Sequence, residues 1–263
     1  MGATMSSSIH ATALVDPAAE LEPDVRVGAY AVIGAGVQIG SGSTVGAHAV
    51  IEGPTRLGKE NQVFQFASVG AAPQDRKYMG EPTRLELGDR NIIREFVTLN
   101  RGTAKSEGVT RVGSDNLFMS YAHVAHDCRI GDNCVLANAA TLAGHVELGD
   151  WVIMAGLSGI HQFCKVGAHA FIGNNAAVTR DVPPYVMAVG QPAVAHSVNA
   201  EGLKRRGFSR EQIRNLRGAF RILYRSGLKL TEARDQLSEL AAEQPEIQPI
   251  IDFLAQSTRS IVR

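Results

Sequence analysis

The chain has 263 residues, with 26 lysines and arginines and 26 aspartates and glutamates, so its formal net charge is zero. This balance excludes the basic surface typical of nucleic-acid-binding proteins, and it shows no acidic excess of the kind that favours disorder. No apolar run approaches the roughly 20 residues of a membrane-spanning helix, and the N-terminal MGATMSSSIH lacks the apolar core of a signal peptide. The three cysteines, Cys128, Cys134 and Cys164, form no CxxC pair and indicate free thiols, so we expect a cytoplasmic protein.

A six-residue period runs through most of the chain, because an aliphatic residue followed by a small one recurs at every sixth position, beginning at Val27, Ile33 and Ile39. The longest run has twelve beats: Val112, Phe118, Val124, Ile130, Leu136, Leu142, Leu148, Met154, Ile160, Val166, Ile172 and Val178. This period predicts a parallel β-helix, in which three six-residue sides form a triangular coil of about 18 residues with the aliphatic residues pointing inward. Equivalent residues of neighbouring coils then lie about 4.8 Å from each other.

The period is interrupted within residues 70–86 and 101–111, which we expect to form loops, and it ends before DVPPY at 181–185. Beyond that point, Ser209 and Gln212 form a capping box ahead of apolar residues at helical spacing. The sequence therefore predicts an all-β parallel β-helix over residues 9–190 and a small α-helical C-terminal domain over 191–263, which would cover the last coil. The GAGVQIG at 34–40 resembles a dinucleotide-binding fingerprint only weakly, because the six-residue period already explains its glycines.

The stretch AHVAHDC at 122–128 concentrates polar residues on one predicted corner of the prism. The coil register places His126 beneath Gly144 and then Gln162, and Asp127 beneath His145 and then Phe163. The neighbouring His123 and His161 fall on the same strip of wall. Four histidines and an aspartate are thus expected to cluster although they come from well-separated parts of the sequence.

This cluster suits proton transfer, because the histidine side chain is a common general base near neutral pH and Asp127 can fix the tautomer of His126 and stabilise its imidazolium. The amide of Gly144 can approach a developing oxyanion closely, since no Cβ intervenes. We therefore assign His126, Asp127 and Gly144 as catalytic candidates for direct acyl transfer to an acceptor hydroxyl. By contrast, we expect isolated corner histidines, such as His48 and His169, to be inert.

Two charged segments are further candidates for contacts with a substrate. The first loop contains Asp75 and Lys77, and the entry to the helical part contains Asn199, Arg205 and Arg206. Adjacent arginines can bind phosphate, although a solvated loop and an ordinary helix surface explain the same residues. A zinc site is the alternative for the histidine cluster, because imidazole is a common zinc ligand and zinc joins subunits of this scaffold in the γ-class carbonic anhydrases.

Five stretches together resemble the UDP-N-acetylglucosamine acyltransferase family over nearly the whole chain. They are QFASVGAAPQDRKYMGEPTRLELGDRN (65–91), VGSDNLFMSYAHVAHDC (112–128), TLAGHVELGD (141–150), HQFCKVGAHAFIG (161–173) and EGLKRRGFSR (201–210). The resemblance implies a left-handed prism, a homotrimer with clefts between neighbouring prisms, and transfer of an (R)-3-hydroxyacyl group from acyl carrier protein to the 3-hydroxyl of UDP-GlcNAc. This reaction is the first step of lipid A biosynthesis, and the resemblance implies neither a metal ion nor another cofactor.

The resemblance also implies the roles of individual residues. His126 is the general base, Asp127 its partner and the Gly144 amide the oxyanion donor. The residues expected to contact the sugar or the hydroxyacyl chain are Gln74, Asp75, Lys77, His123, His145, His161 and Gln162. Those expected to serve the nucleotide and the carrier protein are Asn199, Glu201, Arg205 and Arg206.

Three positions depart from the family pattern. Asn100 stands where a histidine is usual, and Pro192 replaces a polar residue on the donor side. Asn174 occupies a position that bounds the acyl tunnel and is often glycine in members that take longer chains, and Phe171 lies beside it. A larger side chain there predicts a preference for a shorter hydroxyacyl chain, with Phe171 and Asn174 as the acyl-chain ruler. An N-acyltransferase acting on a UDP-acyl-glucosamine remains an alternative, since it uses the same prism.

Overall fold

The computed structural model describes residues 8–257 and 259–263. Its main body is a left-handed parallel β-helix, whose short strands stack into three flat sheets that form the walls of a triangular prism. We name the walls faces 1, 2 and 3 in the order in which the chain passes through them. The corners are named after the faces that they join, so that the chain turns from face 2 to face 3 at corner 2–3.

Apart from the last two strands of face 1, each face is built from every third strand of the chain. Face 1 contains Ser8–Ile9, Arg26–Val27, Thr44–Val45, Gln62–Val63, Ile92–Ile93, Leu117–Phe118, Val135–Leu136, Ile153–Met154, Phe171–Ile172, Val186–Val189 and Val194–Val198. Face 2 contains Leu14–Val15, Val32–Ile33, Val50–Ile51, Ser68–Ala71, Thr98–Asn100, His123–Val124, Thr141–Leu142, Gly159–Ile160 and Ala177–Val178. Face 3 contains Glu20–Leu21, Val37–Ile39, Thr55–Leu57, Arg84–Leu87, Val109–Val112, Arg129–Ile130, Glu147–Leu148 and Lys165–Val166.

The six-residue period predicts this register correctly. Val32 pairs with Val50 and His123 with Thr141, in each case the equivalent position of the next coil, and the second residue of most strands is buried in the prism. The structure extends the period towards the N-terminus, since Ile9 already pairs with Val27. The core is therefore a column of stacked aliphatic side chains.

The small residue that follows each core residue lies where successive coils approach each other closely. A Cβ added to Gly40, which follows the core residue Ile39, would lie 2.6 Å from the carbonyl oxygen of Gly58 on the next coil. The left-handed residue of the corner lies two positions further on and is often not glycine, as at Asp127 and His145, which both have a φ of 61°. Close approach between coils, rather than the turn itself, thus requires the small residue.

Both loops leave the prism at corner 2–3. Ser68 pairs with Thr98, much further along the chain than one regular coil, so the first loop is an insertion into its coil. Thr98 in turn pairs with His123, and the second loop is a shorter insertion into the following coil. Each loop is shorter than predicted, because residues 70–71, 84–86 and 109–111 are paired in strands.

The helical part consists of α1 (Ala200–Arg205), α2 (Arg210–Arg225), α3 (Leu230–Ala241), a 3-10 turn (Pro245–Ile247) and α4 (Gln248–Gln256). The predicted capping box at the start of α2 is present, with Ser209 and Gln212 bonded to each other's backbone amides. The sheet continues past residue 190, since Val194–Val198 forms an antiparallel hairpin with Val186–Val189. At the end of face 3, Ile261 pairs with Asp181, so the C-terminal residues cover the edge of the last coil.

None of the helices among the described residues combines the length and apolarity needed to cross a membrane.

Candidate active site

The predicted polar strip is present at corner 2–3. The amide of His145 donates to the His126 carbonyl at 3.0 Å, and the amide of Phe163 donates to the Gly144 carbonyl at 3.1 Å. The ring of His145 stacks on that of Phe163 at 4.4 Å and meets the ring of His126 edge-on at 5.2 Å. Residues from three successive coils therefore form one surface.

His126 and Asp127 form a hydrogen-bonded pair, with 2.8 Å between the histidine Nδ1 and the aspartate Oδ2. The Asp127 side chain is 1% exposed, and it accepts further hydrogen bonds from the amide and the hydroxyl of Thr103. Burial raises the pKa of Asp127, but the hydrogen bonds from His126 and Thr103 outweigh it and hold the pKa below its usual value. The ionised carboxylate thus accepts the Nδ1 proton of His126, which leaves Nε2 able to take a proton from a substrate.

Gly144 lies directly against the imidazole of His126. A Cβ added at Gly144 would lie 2.6 Å from Cε1 and 2.8 Å from Nε2 of that ring, so any side chain here would displace the histidine. Among the residues that the structure describes, the Gly144 amide donates to no backbone carbonyl. A hydrogen-bond donor and a potential base are therefore adjacent.

Two further histidines border this pair. His145 places its Nε2 3.6 Å from Asp127 Oδ2, the same oxygen that His126 contacts. Burial lowers the pKa of His145, while the Asp127 carboxylate raises it and His126 lowers it, and the net shift is downward. His123 is bonded to Thr98 Oγ1 at 2.6 Å, and burial lowers its pKa as well. Both rings thus favour the neutral form at neutral pH.

The two loops meet beside His126. Lys105 of the second loop lies 3.7 Å from the carboxylate of Asp75 in the first loop, and the Lys77 amide donates to Asp75 at 3.0 Å. That backbone bond holds the pKa of Asp75 below its usual value, with a further contribution from Lys105. Gln74 and Lys77 have exposed side chains next to this ion pair. The first loop therefore brings three of its predicted binding residues to the same corner.

Asn100 has a structural role at the base of the first loop. Its side chain is buried, and its Nδ2 donates to the carbonyl of Ala72 at 3.1 Å, where the first loop begins. Arg101 next to it donates to the Gly70 carbonyl and to the Tyr78 hydroxyl. Asn100 thus fixes the base of the loop through its Nδ2, while its buried Oδ1 has no hydrogen-bond partner among the described residues.

His161 and Gln162 continue the strip at the next coil, and both are exposed. The carbonyl oxygen of Gln162 lies 3.2 Å from Nδ1 of His161, and it accepts a hydrogen bond of 2.8 Å from Arg259. Sequence reasoning missed Arg259, because it follows the last helix and only the folded C-terminal residues bring it to this corner.

Comparison with known proteins identifies the family. The chain is 56% identical to the acyl-[acyl-carrier-protein]–UDP-N-acetylglucosamine O-acyltransferase of Thiobacillus denitrificans over 98% of this chain and 100% of that protein. It is 54% identical to the protein of the same name from Herminiimonas arsenicoxydans, again over 98% and 100%. The chain belongs to this family of O-acyltransferases.

Structural comparison and family patterns agree with this O-acyltransferase assignment. The LpxA structure from Acinetobacter baumannii is 48% identical, covers 97% of this chain and 99% of its own, and superposes with a TM-score of 0.95. The pattern of the UDP-N-acetylglucosamine O-acyltransferase domain 2 family matches residues 181–262. The six-repeat bacterial transferase hexapeptide pattern matches residues 7–53 and 110–144.

The remaining predicted residues of this O-acyltransferase lie elsewhere on the same chain. Phe171 is on face 1 and Asn174 is at corner 1–2. Glu201, Arg205 and Arg206 belong to or follow α1, which is attached at corner 3–1 through contacts with His169. A single chain therefore does not bring these residues to His126.

The surroundings of Asn199 differ from those expected of a substrate contact. It is 4% exposed, its Oδ1 accepts from the Gly202 amide as the N-cap of α1, and its Nδ2 donates to the His169 carbonyl at 3.0 Å. Both polar atoms of the side-chain amide form hydrogen bonds within the protein, so Asn199 has a structural role. His169 is likewise not isolated, because it stacks between Trp151 and Tyr185.

The side-chain atoms that would bind zinc in the alternative interpretation lie close together in this O-acyltransferase. Ligand atoms of His126, Asp127 and His145 all lie within 4.8 Å of one another. However, Asp127 Oδ2 already accepts hydrogen bonds from His126 and Thr103, and its Oδ1 accepts from the Thr103 amide. These bonds are those of a histidine hydrogen-bonded to a carboxylate, and a metal ion would have to replace them.

Substituting Asp127→Asn should lower the pKa of His145 further, because the carboxylate is the contribution that raises it. Histidine titration followed by NMR measures this shift. His123 serves as the internal control, since it is bonded to Thr98 rather than to Asp127 and should keep its titration midpoint. An unchanged or raised His145 pKa in the variant would contradict the electrostatic description.

Proposed function

We propose that this chain transfers an (R)-3-hydroxyacyl group from acyl carrier protein to the 3-hydroxyl of UDP-N-acetylglucosamine, as the first step of lipid A biosynthesis. Membership of the O-acyltransferase family supports the reaction and its two substrates. The observation that carries the chemistry is the contact between the His126 imidazole and Gly144, with Asp127 bonded to the opposite side of the ring.

The proposed mechanism is a direct transfer. Nε2 of His126 takes the proton of the sugar 3-hydroxyl while the oxygen attacks the thioester carbonyl carbon, and Asp127 stabilises the resulting imidazolium. The Gly144 amide donates to the oxyanion of the tetrahedral intermediate. When the carbon–sulfur bond breaks, the imidazolium returns its proton to the departing thiolate. The products are a 3-O-acyl sugar and the carrier thiol, with His126 neutral again.

The residues around the pair are proposed as substrate contacts. Asp75 is ordered by Lys105 and the Lys77 amide, which suits a carboxylate that accepts hydrogen bonds from sugar hydroxyls. His123 and His145 favour their neutral forms, so that each ring can both donate and accept a hydrogen bond. Gln74, Lys77, His161 and Gln162 have exposed side chains along the same corner and complete the proposed set.

We further propose a homotrimer, which is supported by the outward residues of the three faces. Face 3 is charged, with Arg56, Glu86, Arg111, Arg129, Glu147 and Lys165 at successive outward positions. Face 1 presents Ile92, Leu117, Val135, Ile153 and Phe171, and face 2 presents Val50, Ser68, Thr98, His123, Thr141, Gly159 and Ala177. Apart from Arg26, the outward strand residues described on faces 1 and 2 are uncharged, which suits contact between copies, whereas the charged face 3 suits solvent.

The corner between faces 1 and 2 carries aromatic and histidine rings. Tyr30, His48, Phe66, Phe96 and Tyr121 form a ladder of stacked rings there, with centroids 4.9 to 5.3 Å apart. Placing this corner at a threefold axis sets face 1 of one copy against face 2 of the next. Phe171 and the α1 arginines of one chain would then approach His126 of its neighbour. Within a single chain these residues lie apart.

A cytoplasmic location completes the proposal. All three cysteines are free and buried, and burial raises the pKa of Cys128 and Cys134 to about 12. Unpaired thiols are typical of a reducing compartment.

The proposed reaction predicts ester formation when the protein is incubated with UDP-N-acetylglucosamine and (R)-3-hydroxyacyl carrier protein. Replacing His126→Ala should lower kcat by a factor of about a hundred to ten thousand, since it removes the general base. Mass spectrometry measures the product, and size-exclusion chromatography checks that the variant keeps the wild-type assembly. Wild-type rates in a correctly assembled variant would remove His126 from its proposed role.

A site shared between chains predicts complementation in mixed trimers. Random assembly of His126→Ala chains with Arg205→Ala, Arg206→Ala chains gives about one interface in four with both functional parts intact. Co-expression should therefore restore activity to about a quarter of the wild-type value if each parent is inactive. Activity no higher than the mean of the two parents would show that each chain builds its own site.

The acyl-chain ruler predicts a change of chain-length preference in Asn174→Gly. Removing the side chain lengthens the tunnel, so the ratio of kcat/KM for a longer chain over a shorter one should rise about tenfold. Asn175→Gly is the matched control, because Asn175 is the same residue type at the same corner and should leave the ratio unchanged. An unchanged preference in Asn174→Gly would refute the ruler.

A further inference from the structure

A second group of aromatic and charged side chains lies at corner 3–1, away from the proposed catalytic pair. Trp151, His169 and Tyr185 occupy the left-handed corner position on successive coils. His169 stacks on Trp151 with an interplanar angle of 3° and on Tyr185 with 13°. Phe208 meets both His169 and Tyr185 edge-on. We call Trp151, His169, Tyr185 and Phe208 the aromatic column.

Helix α1 is attached to this column at both of its ends. At its start, the Asn199 side chain donates to the His169 carbonyl, and the Asn199 amide donates to the Tyr185 carbonyl at 2.7 Å. After its end, Phe208 packs its ring against His169 and Tyr185. The helix is too short to be stable by itself, so these contacts fix the orientation of its side chains.

The two arginines at the end of α1 have different surroundings. Arg205 is exposed, whereas Arg206 is partly buried, with its guanidinium carbon 5.0 Å from the centre of the Trp151 ring. Nη1 of Arg206 lies 3.4 Å from Nδ1 of His169. Burial and the nearby Arg206 charge lower the pKa of His169 to about 4, so the ring is neutral at pH 7 and Nδ1 can accept from the guanidinium.

These contacts use only part of the hydrogen-bonding capacity of Arg206. A guanidinium has five N–H donors in one plane, and the contacts with an aromatic ring and a single acceptor leave others free for two oxygens of one anion. Holding the group in place before binding reduces the entropy lost when the anion arrives. Arg205 has no such support and would have to be ordered by the ligand.

We propose that Trp151 and His169 are positioning residues that hold the guanidinium of Arg206 ready to bind the diphosphate of UDP-N-acetylglucosamine. This inference rests on the proposed function and on the family resemblance, which implies that Arg206 serves the nucleotide or the carrier protein. Trp151 and His169 act through Arg206 and need not touch the substrate. Arg206 thereby becomes the preorganised member of the arginine pair.

A double-mutant cycle tests the inference on the intact protein. The dissociation constant of UDP-N-acetylglucosamine is measured by calorimetry for wild type, Trp151→Leu, Arg206→Gln and the double variant. Trp151→Leu should weaken binding about tenfold, and it should weaken binding no further once Arg206 is replaced, because the two residues act as one unit. Trp151→Phe, which keeps an aromatic face, should stay within about threefold of wild type.

Arg205→Gln provides the matched control. Trp151→Leu should still weaken binding about tenfold in the Arg205→Gln background. His169→Leu, which removes the acceptor, is the second variant should Trp151→Leu fail to assemble, and the same coupling to Arg206 alone is expected. Wild-type affinity in the assembled Trp151→Leu and His169→Leu variants, or a full additive loss in the Arg206→Gln background, would overturn the inference.

The result also separates the inference from the proposed function. If wild type neither binds nor acylates UDP-N-acetylglucosamine, the proposed function fails. If wild type does both and the cycle shows no coupling, only the positioning role of Trp151 and His169 fails.

Discussion

Parallel pairing between equivalent strands of successive coils is the constraint on which the rest of the structure depends. It stacks each aliphatic core residue on its equivalent in the next coil, as Val124 on Leu142, and it carries every outward residue with it. Residues at the same corner position of successive coils therefore lie next to one another in space. The contact between His126 and Gly144 and the stack of His145 on Phe163 both follow from this pairing.

The same constraint allows both loops to leave the prism at the corner that carries the proposed catalytic pair. A segment can leave the prism between two strands without disturbing the stack, provided that the chain re-enters in register, as it does when Thr98 pairs with His123. Both loops use corner 2–3, where Thr103 binds Asp127 and Lys105 binds Asp75. The rigid prism fixes the proposed base, and the loops bury its partner and shape the proposed sugar site.

Much of the fold and the central strip could be predicted from sequence, because the six-residue period fixes both the core and the corners. His126, Gly144 and Gln162 are found together for that reason. The role of Thr103 could not be predicted, since it lies in a loop where the period gives no register. The capping role of Asn199 was also missed, because an asparagine can serve either as a buried N-cap or as an exposed binding residue, and the sequence does not distinguish the two. Residues that the proposed homotrimer would bring from a second chain, such as Phe171, cannot be placed beside His126 from the register of one prism.

In the proposed mechanism, the reaction occurs where His126 and Gly144 meet. A crystal structure of the protein with the 3-O-acylated nucleotide sugar bound would locate the reacting atoms. We predict the 3-oxygen at about 3 Å from His126 Nε2 and the ester carbonyl oxygen at about 3 Å from the Gly144 amide. A product bound at another corner, or with its ester directed away from His126, would contradict this mechanism.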